Sequence, residues 1–509
     1  FLSTPGQAYA DGMRFVQIYL GLPIAMVILS ITAVPLYHRL KVYTAYEFLE
    51  SRFDLKTRCL AAFLFLTQRG LAAGLTIFAP SLILSTILGW NLVWTNLALG
   101  LFVVIYTTAG GSRAVDWTHV HQMIVIFCGL FVALAMVIWR LPEGVSMVDA
   151  TRVAGSAGRL NAIDYNFDLQ SRYNIWSGLI GGLFLSLSYF GTDQSQVQRY
   201  LSGSSVKQSR LGLLTNGMAK VPMQFFILFL GAMVFAFYQF NEPPLFFNSV
   251  KTEAIENSPD AEAWRALEER HSAAFAAKRD EIGGLLEAMR SGDEAAEQAS
   301  RVRVEAAADR MTDVRAEAVE LMHRRDPKLD PNDTNYVFLR FVIDYLPQGV
   351  VGLLIVMVFF ASMNSTSSEL NALASTTVVD IYRRLVRPQA SDRHYVFVAK
   401  LATVMWGAFA IGFAQYASRL GTLVEAVNIL GSIFYGTILG IFLLAFYARG
   451  LSGTATFVAA LVAEAAVILC FLRTEISFLW YNVVGCVVVV AVAPILELIL
   501  RRRRRAAAV

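Results

Sequence analysis

Long apolar runs, each of about eighteen residues or more, recur along this chain with short polar stretches between them. That rhythm dictates a polytopic helical membrane protein. Residues 1–9 read as the tail of a span that is cut short, because the chain opens mid-run and without an initiator Met; the natural N-terminus is expected upstream. Apolar runs follow at 13–37, 60–89, 92–109, 115–139, 175–191 and 211–240, and then, after a charged insert, at 350–381, 396–417, 424–447, 454–472 and 478–500. Each can cross roughly 30 Å of hydrocarbon at about 1.5 Å per helical residue. The count is eleven full spans and one fragment, about twelve in all.

Composition agrees. Of 509 residues 56% are hydrophobic and 16% charged, with a mean hydropathy of +0.52, too apolar for a soluble protein of this length. Cys59, Cys128, Cys470 and Cys486 lie in or at the ends of apolar runs without metal-ligand spacing, and read as core thiols. No nucleophile–base pair, metal cluster or phosphate loop is present to suggest an enzyme.

The net charge of +4 says less than where the charges sit. Basic clusters at 38–58, Arg113, 199–210, 383–393, Arg449 and 501–505 follow spans two, four, six, eight, ten and twelve. They all fall on one side, which the positive-inside rule makes cytoplasmic, together with the C-terminus. Residues 501–505 read as a topology anchor on anionic lipid rather than a nucleic-acid patch. The insert at 241–346 is then extracytoplasmic. Its Ala-, Glu- and Arg-rich centre predicts a helical hairpin, with candidate breaks at Gly283–Gly284 and Ser291–Gly292. A solvated spacer is the simpler reading of it and an extracytoplasmic partner the alternative.

One span stands apart. In VGLLIVMVFFASMNSTSSELNALASTTVVD, residues 351–380, an apolar helix turns polar without stopping. On a helix, Ala361, Asn364, Ser365, Ser368 and Ala372 fall near one stripe. Such hydroxyls either glue neighbouring helices together or line a wet cavity and offer oxygens to a small hard cation. Glu369 favours the cavity, because a carboxylate at this depth is costly without a purpose.

At five points the chain resembles the sodium/solute symporter family, which includes sodium–sugar, sodium–proline and sodium–iodide cotransporters. The segments are KVYTAYEFLESRF, TTAGGSRAVDWTHVHQ, GTDQSQVQRYLSGSS, MNSTSSELNALASTTVVDIY and VNILGSIFYGTILGIFLL, in family order. The insert has no counterpart in the common family pattern. The resemblance implies an all-α, LeuT-type core of two five-span inverted repeats, spans one to five and six to ten, around a site at mid-membrane. It divides the chain into 1–240 (first repeat and the start of the second), the insert 241–346, spans eight to ten at 347–447, and accessory spans with a basic tail at 448–509. The first helix of each repeat is expected to be broken; Gly181–Gly182 is a plausible break in span six.

Carried over residue by residue, the main sodium ligands in span eight fall on Ala361 (carbonyl), Asn364 and Ser365, with Asn364 in place of the usual hydroxyl. The span-one ligands would precede Phe1. A second sodium would use Ser367 and Ser368, but the Asp that completes it in relatives is His119 here, a poor sodium ligand. For the solute, the resemblance points to Tyr189, Lys220 and Asn428, and it gives Asp193 a gating or structural role; Glu369, where relatives are usually uncharged, is expected as a gating or structural carboxylate that pairs with a cation or binds a proton.

These features predict a multi-pass inner (plasma) membrane symporter that uses Na+ to import a small polar solute, sugar- or polyol-like or a small organic anion. The competing readings are a proton-coupled carrier on the same scaffold, motivated by Glu369 and His119, and a transporter-like sensor that reads a partner through the insert.

Overall fold

The computed structural model describes residues 3–40, 44–110, 116–201, 203, 205–327, 329–417, 420 and 422–506, and among these every regular element is a helix, with no strand. Ten helical stretches among them are long and apolar enough to cross a membrane, and Ser177–Thr192 is a shorter apolar helix.

The first span, Ser3–Asp11, turns at Gly12, whose φ of 77° suits a residue without Cβ, and continues through a 3₁₀ segment, Gly12–Tyr19. Span two is Leu22–Ile31 and Ala33–Leu40, opened by Pro23 in its first turn. Span three, Leu55–Leu88, is capped by the Asp54 carboxylate, which accepts from Thr57 N–H, and ends at left-handed Gly89. Spans four, five and seven are Leu92–Gly110, Asp116–Trp139 and Val206–Phe240. Span eight is Gln348–Thr376 and runs on as the π-helical segment Thr377–Val386. Spans nine to twelve are Asp392–Ala414, Leu423–Tyr447, Gly453–Arg473 and Leu479–Ala506.

Span three is central: it packs on spans eight, nine and ten. Span one lies on span seven and on the helix Thr334–Tyr345.

Span six departs from expectation. Gly181–Gly182 does not interrupt it; a π-turn, Ser177–Gly181, passes directly into the α-helix Gly182–Thr192. The break comes later, at Asp193, in extended geometry before Gln194–Leu201 resumes. The glycines serve close approach instead. A Cβ on Gly182 would stand 2.3 Å from the Ile18 carbonyl oxygen, and one on Gly181 would stand 2.8 Å from that of Leu479.

The loops after spans two, six, eight, ten and twelve gather at one end of the bundle. Arg52 donates to the Ala448 carbonyl (2.5 Å), Arg384 pairs with Glu50 (2.8 Å), and His38 meets Ser209 (3.0 Å). Arg113 lies outside the described residues. Arg58, counted above among the loop charges, is buried: it bridges Asp380 and Glu50 at 2.6 Å each, and Thr44 donates to Asp380 (2.7 Å). The cysteines are free, but only Cys486 of the four is buried, and Cys128 is exposed.

The charged insert folds as the hairpin Ala261–Ser291 and Glu294–Arg325, which turns at Gly292 (φ 72°). The helix runs straight through Gly283–Gly284, so one expected break forms and the other does not. Trp264, Leu267, Val314, Ala318 and Met322 form a buried cluster between the two helices. Arg270–Glu317 (2.6 Å) and Arg303–Glu281 (2.9 Å) link them at the surface. Arg290 ties the hairpin to Asp149 (2.7 Å), in the helix Met147–Ser156 that follows span five.

Candidate solute and cation site

A cavity of about 540 Å³ opens between spans one, two, three, six, seven, eight and ten. Small-molecule sites are commonly roughly 300–1,000 Å³. Its wall includes Ala361, Ser365 and Glu369 of span eight, Tyr189 of span six, Lys220 of span seven and Asn428 of span ten. Six residues selected from four separate stretches of sequence therefore share one space.

On span eight the cavity-facing stripe is Ala361, Ser362, Ser365 and Glu369, the spacing a helix requires. Among the described residues the Ser365 hydroxyl has no hydrogen-bond partner, so its oxygen remains open to the cavity. Ser362 instead donates to the Thr76 carbonyl (2.7 Å), and Thr366 donates back to Ser362 O (2.9 Å). Span eight thus uses some hydroxyls as glue and leaves another free.

Asn364 is buried on a different face, with its amide N–H directed at the Gln122 side-chain oxygen of span five (3.4 Å). Ser367 and Ser368 do not line the cavity. Among the described residues the Ser367 hydroxyl is sealed without a partner, and Ser368 accepts from the Arg199 guanidinium (3.3 Å), whose positive charge opposes a second cation there. The side chains of Asp116 and His119 lie outside those described.

Lys220 has no carboxylate partner among the described residues and holds its ammonium 5.5 Å from the Tyr19 ring centre. The Asn428 amide donates to the Val424 carbonyl of its own helix (2.7 Å), and the residue lines the cavity. Tyr189 is half-buried and packs edge-on against Phe190 and Tyr435.

Asp193 and Glu369 converge on a residue the sequence reading passed over, Arg69 of span three. Arg69 is 3% exposed. It donates to Glu369 (3.1 Å), to Asp193 through a very short contact, and to the Tyr435 hydroxyl (2.9 Å). Tyr435 donates onward to Asp193 (2.9 Å), and Thr76 to Glu369 (3.0 Å). The guanidinium carbon also lies 5.6 Å from the centre of the Tyr189 ring. A buried charge persists when it is paired; the terminal nitrogens of Arg69 are engaged in this way, while its Nε is buried without a partner among the described residues. A lone Arg inside an apolar run, the criterion that singled out Lys220, would have found it.

Known proteins resemble this chain over most of its length. The human sodium/iodide cotransporter is 25% identical over 452 residues, 88% of this chain and 56% of that protein. Human sodium-coupled monocarboxylate transporter 1 is 26% identical over 443 residues, 87% and 59% respectively. The chain thus spans less than three fifths of the length of these two relatives. The sodium/sialic acid symporter of Proteus mirabilis (strain HI4320) is 24% identical over 505 residues, 96% of this chain and 82% of that protein. A solved substrate-bound, outward-open structure of a Na+-coupled sialic acid symporter superposes with a TM-score of 0.72 at 22% identity, covering 98% of this chain and 86% of that one. The fold is accordingly the LeuT type, two inverted five-span repeats with accessory spans. The family model for sodium:solute symporters matches residues 1–253 and 328–463, leaving out the whole hairpin, and the chain belongs to the sodium:solute symporter family.

Proposed function

We propose that this protein is a sodium-coupled symporter that moves a small polar solute, sugar- or polyol-like or a small organic anion, by alternating access. The observation that carries the reading is the shared cavity. An unpartnered hydroxyl, Ser365, stands at the family's cation position on span eight beside Ala361. Tyr189, Lys220 and Asn428 present a ring face, an ammonium and an amide to the same space. Sodium is a hard cation held by neutral oxygens. In this reading Ala361 and Ser365 supply part of its cage, and Asn364 supports span eight from behind through Gln122. Sodium binding favours the outward-open state by its differential affinity, and solute then permits closure around the cavity. The basic loops face the cytoplasm and the hairpin faces outward.

The test is uptake into proteoliposomes under an imposed sodium gradient, with candidate solutes chosen by sodium-dependent thermal stabilisation. Ser365→Ala is expected to abolish sodium-driven uptake; uptake that survives the substitution refutes the assignment. Proton coupling is the competing reading, favoured by the place of Glu369 in the cavity wall. Uptake that follows a pH gradient and ignores sodium decides for it.

A further inference from the structure

The hairpin borders a second, half-open cavity of about 690 Å³, against the end of span seven, the start of the chain and the loop after the helix Met147–Ser156. The whole hairpin wall falls outside the family match. The two cavities adjoin: Ser3 and Asn335 line the central one, and Tyr9 and Thr334 this one.

Its charge is unbalanced. Arg159, His271, Lys278, Arg301 and Arg315 reach it, against Glu305 and Asp333. Several of these are committed elsewhere. Arg315 pairs with Asp333 (2.5 Å), Arg301 with Glu297 (2.6 Å), and His271 lies 3.7 Å from Glu242. Among the described residues two cations have no carboxylate within ion-pair distance, although Arg159 feels the Asp11 charge and Glu305 lines the same cavity. Lys278 is 8% exposed and lines the cavity with no ion-pair partner. Arg159 donates to the Ala10 carbonyl by one terminal nitrogen, while its Nε is sealed from solvent with no partner. Burial, and then the neighbouring Arg159 charge, lower the Lys278 ammonium to about 8. A buried ammonium without an ion-pair partner, in a wall where positive charge exceeds negative, is unfavourable unless something supplies further negative charge. The remaining wall suits an apolar body: Tyr9, Phe235 and Phe247 line it, and the Arg159 guanidinium lies 4.7 Å from the Phe235 ring centre.

We infer that this outer cavity is a second binding site, distinct from the transport site, for an amphiphilic anion whose single carboxylate or phosphate meets Lys278 and Arg159 and whose apolar part rests on Tyr9 and Phe235. A free aromatic acid and an anionic lipid present the same chemistry.

The experiment is calorimetric titration at pH 7 of lipid-depleted, detergent-purified protein with benzoate, and with benzamide as its neutral isostere. Benzoate is expected to bind and benzamide not to. Lys278→Met is expected to weaken benzoate by about tenfold or more, the scale of one lost charge-assisted contact. Lys278→Arg, which keeps the charge, restores binding. Lys220→Met removes the ammonium of the central cavity and leaves this binding in place. Equal binding of benzoate and benzamide overturns the inference, as does benzoate binding unchanged by Lys278→Met. Repetition in nanodiscs separates the sources. Benzoate binding lost in phosphatidylglycerol but kept in phosphatidylcholine assigns a lipid headgroup; binding kept in both assigns a free acid.

Discussion

The Arg69 guanidinium is hydrogen-bonded to the Asp193 carboxylate, joining the middle of span three to the point where span six breaks. Asp193 also accepts from the backbone N–H (2.8 Å) and hydroxyl (2.6 Å) of Ser195 as the chain resumes its helix. One side chain therefore holds the interruption open, and through Glu369 and Tyr435 it reaches spans eight and ten.

Removing Arg69 strands two carboxylates in the interior. Arg69→Met is expected to destabilise the protein by roughly 3–5 kcal/mol, as breaking a buried ion pair commonly does. Adding Asp193→Asn and Glu369→Gln to the same chain is expected to recover part of that loss, because no charge is then left unpaired. Thermal midpoints in detergent check both; a triple variant no more stable than Arg69→Met contradicts the account.

The orientations on span eight separate two neighbours. Ser365→Ala is expected to remove sodium-dependent thermal stabilisation. Asn364→Ala is expected to cost about 1 kcal/mol from its lost contact with Gln122 while leaving the half-saturating sodium concentration within about threefold. Sodium titrations of the two variants by thermal shift decide it.

Lys278 supplies a pH signature. Its folded value of about 8 lies below the ordinary lysine value of 10.5, so between them the unfolded chain binds more protons than the folded one. Folding stability is therefore expected to rise with pH across that window and to be lowest, from this group, below about 8. The thermal midpoint of the protein, followed from pH 7 to 10, should rise more steeply than that of Lys278→Met. Parallel profiles would show that the ammonium is not desolvated.

Two glycines should respond in opposite ways. Gly182→Ala drives a Cβ onto the Ile18 backbone oxygen and is expected to cost about 1–3 kcal/mol through overpacking. Gly283→Ala, in open space on a continuous hairpin helix, is expected to stabilise that helix by up to about 1 kcal/mol. Chemical or thermal unfolding of the two variants measures both signs.

Much of the architecture is written in the order of residues. The apolar runs, the hairpin, and the basic loops that meet at one end follow from quantities summed along a local window: hydropathy, helix propensity, spacing of charge. None needs a partner elsewhere in the chain. Ala361, Ser365, Tyr189, Lys220 and Asn428, singled out in the sequence through the family resemblance, line one cavity in the structure.

What required the tertiary structure was direction and partnership. Asn364 follows the same helical stripe as Ser365 in sequence, yet span five claims it, since a rotation of tens of degrees decides which neighbour a side chain meets. Span six breaks at Asp193 and not at Gly181–Gly182, because those glycines answer the close passage of Ile18 and Leu479. Arg69 finds Asp193 across 124 positions and Glu369 across 300, a match no window can contain. The sequence alone determined that this chain is a bundle of membrane helices with a polar eighth span and a charged hairpin. Which polar groups face the central space, which are locked in ion pairs, and that the hairpin borders a cationic cavity were decided by packing, because burial is a property of neighbours rather than of the residue itself.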